Sequence, residues 1–230
     1  MATLHYIYDP YCGWCYAASP LVAAARAIPG LALVLHGGGM LAGTRRRLVT
    51  PQWREFVMAH DLRIAQMTGQ PFGEAYFQGL LREDGALFDS APPTVAIRAA
   101  EFMGRRGADM LARLQAAHFV EGRRISDATV LREVAVGLGL RAADFEQACR
   151  AYSGVALDQH YRDSQRLLSQ SGAQGFPTFV FEDAGGYARL EHSACLAQPE
   201  AWSQLLAQRL TAAVPAVPAP HAGRAPPPPG

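Results

Sequence analysis

The chain has 230 residues, of which 50% are hydrophobic and 18% are charged, and its formal net charge is +1. This length is enough to bury a large core, whereas the balanced charge argues against a nucleic-acid partner. All basic residues are arginines, so catalysis through a lysine Schiff base is excluded. The sequence has no apolar run of about 18 residues that could span a bilayer, and no signal-peptide pattern at its N-terminus. We therefore expect a cytoplasmic protein without membrane contact, whose cysteines stay reduced unless they are catalytic.

The N-terminal segment is predicted to form a strand, a helix and a second strand. Residues 4–8 are mostly aromatic or β-branched, which predicts a strand. Apolar residues then recur at helical spacing from Cys12 to Pro29, with a kink expected at Pro20 because proline lacks an N–H. Residues 31–35 are continuously apolar, which is typical of a buried central strand. With a right-handed crossover, these elements form a βαβ unit.

A long helical segment follows, from about residue 44 to residue 171. Thr50 before Pro51 is typical of a helix N-cap, and Ser90 marks another helix start. Gly172 is expected to end the last of these helices. Apolar residues at three- and four-residue steps favour amphipathic helices that pack together. We expect four aromatic side chains to lie in their core: Trp53, Phe56, Phe102 and Phe119.

The C-terminal part of the chain is predicted to return to strands. Residues 178–181 and 187–190 predict a hairpin, with residues 183–186 as its turn. Residues 199–211 predict an amphipathic closing helix. Beyond residue 212 the chain is almost entirely proline and alanine, so we expect a disordered tail.

The Cys12-Gly13-Trp14-Cys15 motif lies at the predicted start of the first helix. Two cysteines at this spacing lie on one side of the first turn, where their sulfurs can form a disulfide or separate as thiols. The free N–H groups and the helix dipole at Cys12 favour a thiolate, which is the nucleophilic form. Cys15, one turn further in, should be more buried and protonated. Cys12 would then attack a substrate disulfide and Cys15 would resolve the mixed disulfide, or the pair would oxidise a dithiol in reverse.

Zinc binding is the main alternative for such a pair, because zinc ribbons use the same spacing. Zinc would require a second pair of ligands, but Cys149 and Cys195 are isolated and no histidine pair has ligand spacing. We therefore predict no metal. Cys149 is expected to be a small core residue, and a redox relay through Cys149 or Cys195 stays open.

A glycine-rich stretch at residues 37–42 formally fits a dinucleotide-binding fingerprint, with Asp61 about twenty residues further on. The residues that follow it include three consecutive arginines and do not form an apolar helix pattern. We therefore predict a loop that leads into the helical segment and borders the site.

The second chemical signal is Gly175-Phe176-Pro177-Thr178, directly before the returning strand. A proline cannot donate to a strand ladder, so it belongs at the start of a strand or on an edge. Alone this tetrapeptide would be an ordinary loop, but in combination with the cysteine motif it is far more specific.

Residues 9–16, the helical segment and residues 175–178 together resemble the DsbA-like branch of the thioredoxin superfamily. More narrowly, they resemble the cytoplasmic predicted protein-disulfide isomerases of bacteria, over about residues 4–210. The resemblance implies an α/β protein in which a thioredoxin fold (βαβ…ββα) is interrupted by an inserted α-helical domain. The domains would be residues 1–44 with 172–211 (thioredoxin-like), residues 45–171 (helical insertion) and residues 212–230 (tail).

The resemblance also implies roles for individual residues. Cys12 would be the nucleophile and Cys15 the resolver, with Pro177 as a cis-proline that faces them. Phe176, the residue before it, would offer backbone groups to an extended substrate. The residues expected to bind substrate are Tyr11, Gly13, Trp14, Phe176, Pro177 and Thr178.

The proton acceptor for Cys15 is left open by the resemblance. Relatives often carry a buried acid six positions before the first cysteine, where this chain has Tyr6. Asp9 is the nearest acid, but its position at the end of a strand suggests a different geometry.

The leading hypothesis is a thiol–disulfide oxidoreductase or isomerase that acts on protein or small-molecule disulfides and dithiols. It needs no cofactor beyond its own redox-active disulfide, and glutathione or a thioredoxin-type reductant would recycle it, with glutathione as a candidate co-substrate. One alternative is a glutathione-dependent transferase or isomerase of the kappa type, although Cys15 argues against it. Another is a chaperone or binding module in which the thiols are incidental. The direction of catalysis stays open.

Overall fold

The computed structural model describes residues 2–212 and contains a four-stranded mixed sheet. Its strands are β1 (Ala2–Tyr8), β2 (Leu31–Gly37), β5 (Thr178–Asp183) and β6 (Gly186–Leu190), in the order β2-β1-β5-β6. The strands β1 and β2 are parallel, whereas β1–β5 and β5–β6 are antiparallel. A separate two-stranded ribbon, which the sequence did not predict, pairs β3 (Arg47–Leu48) with β4 (Leu87–Phe88).

Nine α-helices surround the sheet within residues 2–212. They are α1 (Gly13–Ala17), α2 (Ser19–Arg26), α3 (Pro51–Thr68), α4 (Ala91–Phe102), α5 (Gly107–Phe119), α6 (Ala128–Gly137), α7 (Ala142–Tyr152), α8 (Val155–Gln170) and α9 (Pro199–Ala212). No helix in this part of the chain is long and apolar enough to cross a membrane. The predicted disordered tail, apart from Ala212, lies outside the described residues.

The N-terminal βαβ unit is confirmed, with two corrections. The helix between the strands breaks at Ala18, and Pro20 becomes the second residue of α2, where its missing N–H costs no helical bond. The strand β2 was expected to be central but is an edge strand, and its Val34 side chain is 39% exposed. Its first five residues are apolar, and α2 and α8 both pack against it.

The helical segment confirms the N-cap at Thr50, whose hydroxyl accepts the Trp53 N–H at 3.2 Å. Phe119 is buried as expected, but the core assignment is wrong for Phe56 and Phe102, which are 64% and 71% exposed. Phe56 lies on a helix that instead turns Asp61 and Ile64 inward, and Phe102 is the last residue of α4.

Most buried side chains of the sheet and of the helical segment form one continuous hydrophobic cluster, and a smaller one joins Ile7 and Val180 of the sheet to Leu167 and Leu168 of α8. Tyr6 and Phe179 stack in the larger cluster with ring centroids 4.6 Å apart, and Trp202 of α9 packs on Phe179 at 4.9 Å. The helices therefore share their core with the sheet that carries the cysteine motif. The proposed domain boundaries at residues 44/45 and 171/172 stay a prediction.

Candidate active site

The two motif cysteines lie at the start of α1, directly after strand β1. Cys12 is the N-cap residue, and its sulfur accepts the backbone N–H of Cys15 at 3.3 Å. The backbone N–H of Cys12 in turn donates to the carbonyl of Asp9 at 3.1 Å. Both cysteines are free thiols. The strand end and the helix start therefore fix the position of the pair through backbone hydrogen bonds.

The environments of the two thiols differ. Cys12 is 8% exposed, whereas Cys15 is fully buried. Burial raises the pKa of the Cys15 thiol well above its ordinary value, and the hydrogen bond to Cys12 and the charge of Cys12 raise it further. Cys15 is thus held as a thiol behind the more accessible Cys12, as the sequence predicted.

The loop that precedes strand β5 closes the site from the other end of the chain. The Phe176–Pro177 peptide bond is cis, as the resemblance implied. The Cys12 thiol donates to the carbonyl of Phe176 at 3.7 Å. The nucleophile candidate and the residue before the cis-proline are therefore in direct contact.

Gly38 allows this loop to approach the sheet. A Cβ atom at Gly38 would lie 2.1 to 2.9 Å from three atoms of the Phe176 ring, which is closer than nonbonded atoms approach. The backbone of Gly38 is itself fixed, because its N–H donates to Tyr8 at 2.7 Å and its carbonyl accepts from Gln165 at 3.0 Å. The glycine-rich stretch is thus a loop that borders the site and seats the Phe176 ring.

Asp9 lies fully buried beneath the motif. Its carboxylate accepts hydrogen bonds from the backbone N–H groups of Tyr11 at 3.0 Å and Met40 at 2.6 Å, and from the Ser90 hydroxyl at 2.9 Å. Burial raises the pKa of Asp9 from 3.8 to about 6, against the lowering effect of these donors. The chain therefore carries a buried acid that titrates near neutral pH.

Replacing Ser90 with alanine is expected to destabilise the fold in a pH-dependent way. The hydroxyl accepts the Leu41 N–H at 3.0 Å while it donates to Asp9, so Ser90→Ala leaves the Leu41 N–H without this acceptor and removes one of the three donors to the buried Asp9 carboxylate. We expect the free energy of unfolding to fall by about 1–3 kcal/mol at pH 8. Denaturant unfolding at pH 5 and pH 8 measures the loss.

The sign of the pH dependence follows from the raised pKa of Asp9. Protonated Asp9 stabilises the fold, and this contribution is lost as the pH rises through about 6. Loss of the Ser90 donor penalises the carboxylate more than the acid, so the destabilisation should be larger at pH 8 than at pH 5. Ser153→Ala, at an exposed position, is the control. An equal effect of Ser90→Ala at both pH values would contradict this assignment.

A groove of about 450 Å³ lies where the cysteine motif meets the cis-proline loop. Its lining includes Trp14 of the motif, Met67 of α3, residues 173–178 of the loop and residues 189–193 at the end of β6. A volume of this size is typical of small-molecule sites. The groove can therefore accept a small thiol, a disulfide or a short peptide segment.

The structure brings together most, but not all, of the residues predicted to bind substrate. Trp14, Phe176, Pro177 and Thr178 line the groove, and Gly13 lies buried in the motif. The Thr178 hydroxyl donates to the carbonyl of Gly175 at 2.8 Å, so it is engaged within the loop. Tyr11 is not brought to the groove. Its ring stacks on Phe88 at 5.0 Å, within the core shared with the helices.

Two residues of α3 that the sequence did not single out for this role lie against the motif. The Trp14 indole N–H donates to Nε2 of His60 at 3.0 Å. Asp61, 3% exposed, packs so closely on the motif that a Cβ at Gly13 would lie 2.4 Å from its Oδ1. Neither contact has a signal in the sequence, because each joins segments more than forty residues apart.

Among residues 2–212, no group of three or more His, Cys, Asp or Glu side chains is arranged to hold a metal ion. Cys149 lies half-buried in α7, where burial raises the pKa of its thiol to about 11. Cys195 lies in a short helical turn before α9. Neither is part of the site formed by Cys12 and Cys15.

Comparison with known proteins places these features in a family. The model of the DSBA-like thioredoxin domain matches residues 3–195. The cytosolic disulfide reductase DsbM from Pseudomonas aeruginosa is 53% identical, with a TM-score of 0.86, over 92% of this chain and 100% of that chain. A structure of the same protein with GSH matches at 51% identity and a TM-score of 0.84, over 91% and 99% of the two chains.

A protein from Nitrosomonas europaea shares the fold at 24% identity, with a TM-score of 0.75, over 92% of this chain and 98% of that chain. The family match agrees with the structure, which has a buried Cys12–Cys15 pair and a cis-proline opposite it. The chain therefore belongs to the DSBA-like thioredoxin domain family and is a thiol–disulfide oxidoreductase.

Proposed function

We propose that the protein is a cytoplasmic disulfide reductase that draws its electrons from glutathione, with Cys12 as the nucleophile and Cys15 as the resolver. One observation carries the assignment of roles. The Cys12 sulfur lies at the helix start and faces the carbonyl of Phe176, while Cys15 is fully buried behind it. The cytosolic reductase that is 53% identical supports the direction and the compartment.

Reduction of the substrate disulfide proceeds in two thiol–disulfide exchanges, after which glutathione reduces the enzyme. The Cys12 thiolate attacks one sulfur of the substrate disulfide, forms a mixed disulfide and releases the first substrate thiolate. Cys15 then loses its proton and attacks the Cys12 sulfur, which forms the Cys12–Cys15 disulfide and releases the second thiolate. Two molecules of glutathione reduce this disulfide and leave as oxidised glutathione. Two electrons thus pass from two glutathione thiols to one substrate disulfide.

We assign to Asp9 the role of accepting the proton that Cys15 loses. Burial has the largest effect on the pKa of the Cys15 thiol and raises it, while the Asp9 backbone lowers it through a hydrogen bond and the Asp9 charge raises it. A carboxylate with a pKa of about 6 can accept a proton near neutral pH. The position that holds a buried acid in other thioredoxin relatives is Tyr6, whose hydroxyl donates to the carbonyl of Cys15 at 3.1 Å.

Glutathione fits the groove in size and charge. It carries two carboxylates and one amine, and the rim of the groove presents Arg189 and Glu191, which pair with each other at 2.9 Å. Both are more than two-fifths exposed, so a charged ligand can exchange with this pair. The structure of the 51% identical relative with GSH supports the same ligand.

The reducing direction agrees with the charges near the motif. The two residues between the cysteines, Gly13 and Trp14, carry no positive charge, and the Asp61 carboxylate packs against Gly13. The Cys12 thiolate is stabilised by the helix start and the Cys15 N–H, without a positive charge from the two residues between the cysteines. A less stabilised thiolate leaves the reduced form a stronger reductant.

The test is the redox midpoint of the Cys12–Cys15 pair, measured in glutathione buffers by tryptophan fluorescence with Cys15→Ser as the control. We expect a midpoint near about −230 to −270 mV, in the range of glutaredoxins and thioredoxin. A midpoint near about −120 to −180 mV is that of an oxidase or isomerase and would overturn the reducing direction. If no disulfide forms between the two cysteines at any potential, the dithiol mechanism is wrong.

A further inference from the structure

The indole ring of Trp14 is held by a contact outside the motif. Its Nε1–H donates to Nε2 of His60 at 3.0 Å, and the two rings meet edge to face with centroids 6.0 Å apart. Trp14 is half-buried, and the side chain of His60 is 43% exposed. A surface histidine of α3 is thus the hydrogen-bond acceptor for a residue between the two cysteines.

The acceptor role fixes the protonation of the imidazole. Because Nε2 accepts, the ring proton lies on Nδ1, which faces Oδ1 of Asp61 at 3.5 Å. This distance is beyond the usual range of a hydrogen bond, so the Asp61 carboxylate is a neighbour of the imidazole and not its hydrogen-bond acceptor. Asp61 is held in turn by the Tyr76 hydroxyl, which donates to its Oδ2 at 2.8 Å. The hydrogen bond runs from Trp14 to His60, and the Asp61 carboxylate lies beside the other ring nitrogen of His60.

The position of this chain of contacts relative to the cysteines is fixed by packing. At Gly13 a Cβ would lie 2.4 Å from Oδ1 of Asp61 and 2.8 Å from Cδ1 of Ile64. The helix α3 therefore lies directly against the motif, and it carries His60 next to Trp14. Asp61 is 3% exposed and Ile64 is fully buried, so this part of α3 has little freedom to move.

We propose that His60 is a positioning residue that holds the Trp14 ring as part of the wall of the substrate groove. Trp14 lines the groove together with Met67, which belongs to the same helix as His60, and with the cis-proline loop. His60 itself is not among the residues that line it, so it acts through Trp14. The consequence for catalysis rests on the proposed reductase function, because it concerns the binding of a small disulfide in that groove.

Two substitutions distinguish the effect of the hydrogen-bond acceptor of His60 from the effect of its aromatic ring. His60→Phe keeps an aromatic ring that can meet Trp14 edge to face, but it removes the acceptor. His60→Gln removes the ring but keeps a carbonyl oxygen that can accept from the indole. Arg63→Gln, at an exposed position of the same helix, serves as the matched control.

The first readout does not depend on activity. In ¹⁵N-labelled protein, the Trp14 indole signal is identified among those of the three tryptophans by its absence from Trp14→Phe. Its N–H should exchange with solvent about threefold to tenfold faster in His60→Phe than in wild type, because one hydrogen bond is lost. His60→Gln and Arg63→Gln should stay within about twofold of the wild type. Equal exchange in wild type and His60→Phe would overturn the proposal, as would a His60→Gln protein that behaves like His60→Phe.

The second readout is the reduction by glutathione of a mixed disulfide between glutathione and a fluorescent thiol. His60→Phe should raise KM about threefold to tenfold and change kcat less than about twofold, whereas His60→Gln should keep KM near the wild-type value.

In the Trp14→Phe protein, adding His60→Phe should leave KM unchanged, since the indole donor is already absent. An equal effect in both backgrounds would overturn the proposal. A wild-type protein that fails to reduce the probe would instead contradict the proposed function and leave the exchange measurement to decide the role of His60.

Discussion

Cys15→Ser is expected to stop the reaction at the mixed disulfide, with one substrate thiol bound to Cys12. Cys15 is fully buried behind Cys12, so in wild type the resolving attack occurs within the protein and outpaces release by an external thiol. Without it, the adduct at Cys12 can be resolved only by a second thiol from solution. Mass spectrometry after incubation with oxidised glutathione should show a single glutathionyl adduct on most of the protein.

Cys12→Ser should show no adduct on the fully buried Cys15 and should lose disulfide turnover by at least about 10³-fold, since serine cannot form the mixed disulfide at position 12. Cys149→Ser is the matched control. Cys149 lies in α7, and burial raises the pKa of its thiol to about 11, so it is a poor nucleophile near neutral pH. Adduct formation in Cys12→Ser, or loss of turnover in Cys149→Ser, would contradict the assigned roles.

Gly38→Ala is expected to reduce activity about 10- to 100-fold, because it displaces the cis-proline loop. The new methyl group would overlap the Phe176 ring, whose atoms lie 2.1 to 2.9 Å from its position. The backbone of Gly38 cannot yield easily, since Tyr8 and Gln165 both bind it. Phe176 must therefore turn its ring or shift its backbone, and a displacement near 1 Å of its carbonyl, which faces the Cys12 thiol, costs on the order of 10²-fold.

Gly137→Ala is the control for this substitution. Gly137 lies in the last turn of α6, and nothing lies within 4 Å of the position of its missing Cβ. Alanine there should leave kcat/KM unchanged and stabilise the protein by up to about 1 kcal/mol. A Gly38→Ala protein with wild-type kcat/KM would show that the contact between Gly38 and Phe176 does not set the geometry of the site.

The sequence predicted the cysteine pair and its proline partner because each has a strong local pattern. The motif follows a strand and begins a helix, and Pro177 precedes a strand. The contrast between a more accessible Cys12 and a buried Cys15 follows from the helix geometry alone, and it is confirmed. The position of β2 was wrong because an apolar run shows that both faces are covered, not whether a further strand lies beside it.

The parts of the site that were missed depend on contacts between distant segments. Trp14 and His60 are 46 residues apart, and Asp9 is bound by Ser90 across 81 residues. Asp9 looked like an ordinary acid at the end of a strand, and only the fold shows that it is enclosed. Phe56 follows the helical spacing of a core residue, but the inward face of α3 is set by Asp61, which packs on the cysteine motif.

The placement of β5 beside β1 has a consequence for the synthesis of this protein. The Cys12 thiol and the Phe176 carbonyl that faces it are 164 positions apart, and the residues of β1 and β2 are synthesised long before those of β5. Chains are made from the N-terminus at about 5–20 residues per second, so for on the order of ten seconds the nascent chain presents its cysteines without their opposing loop. Disulfide exchange in the completed groove therefore begins only when translation has passed the β5–β6 hairpin.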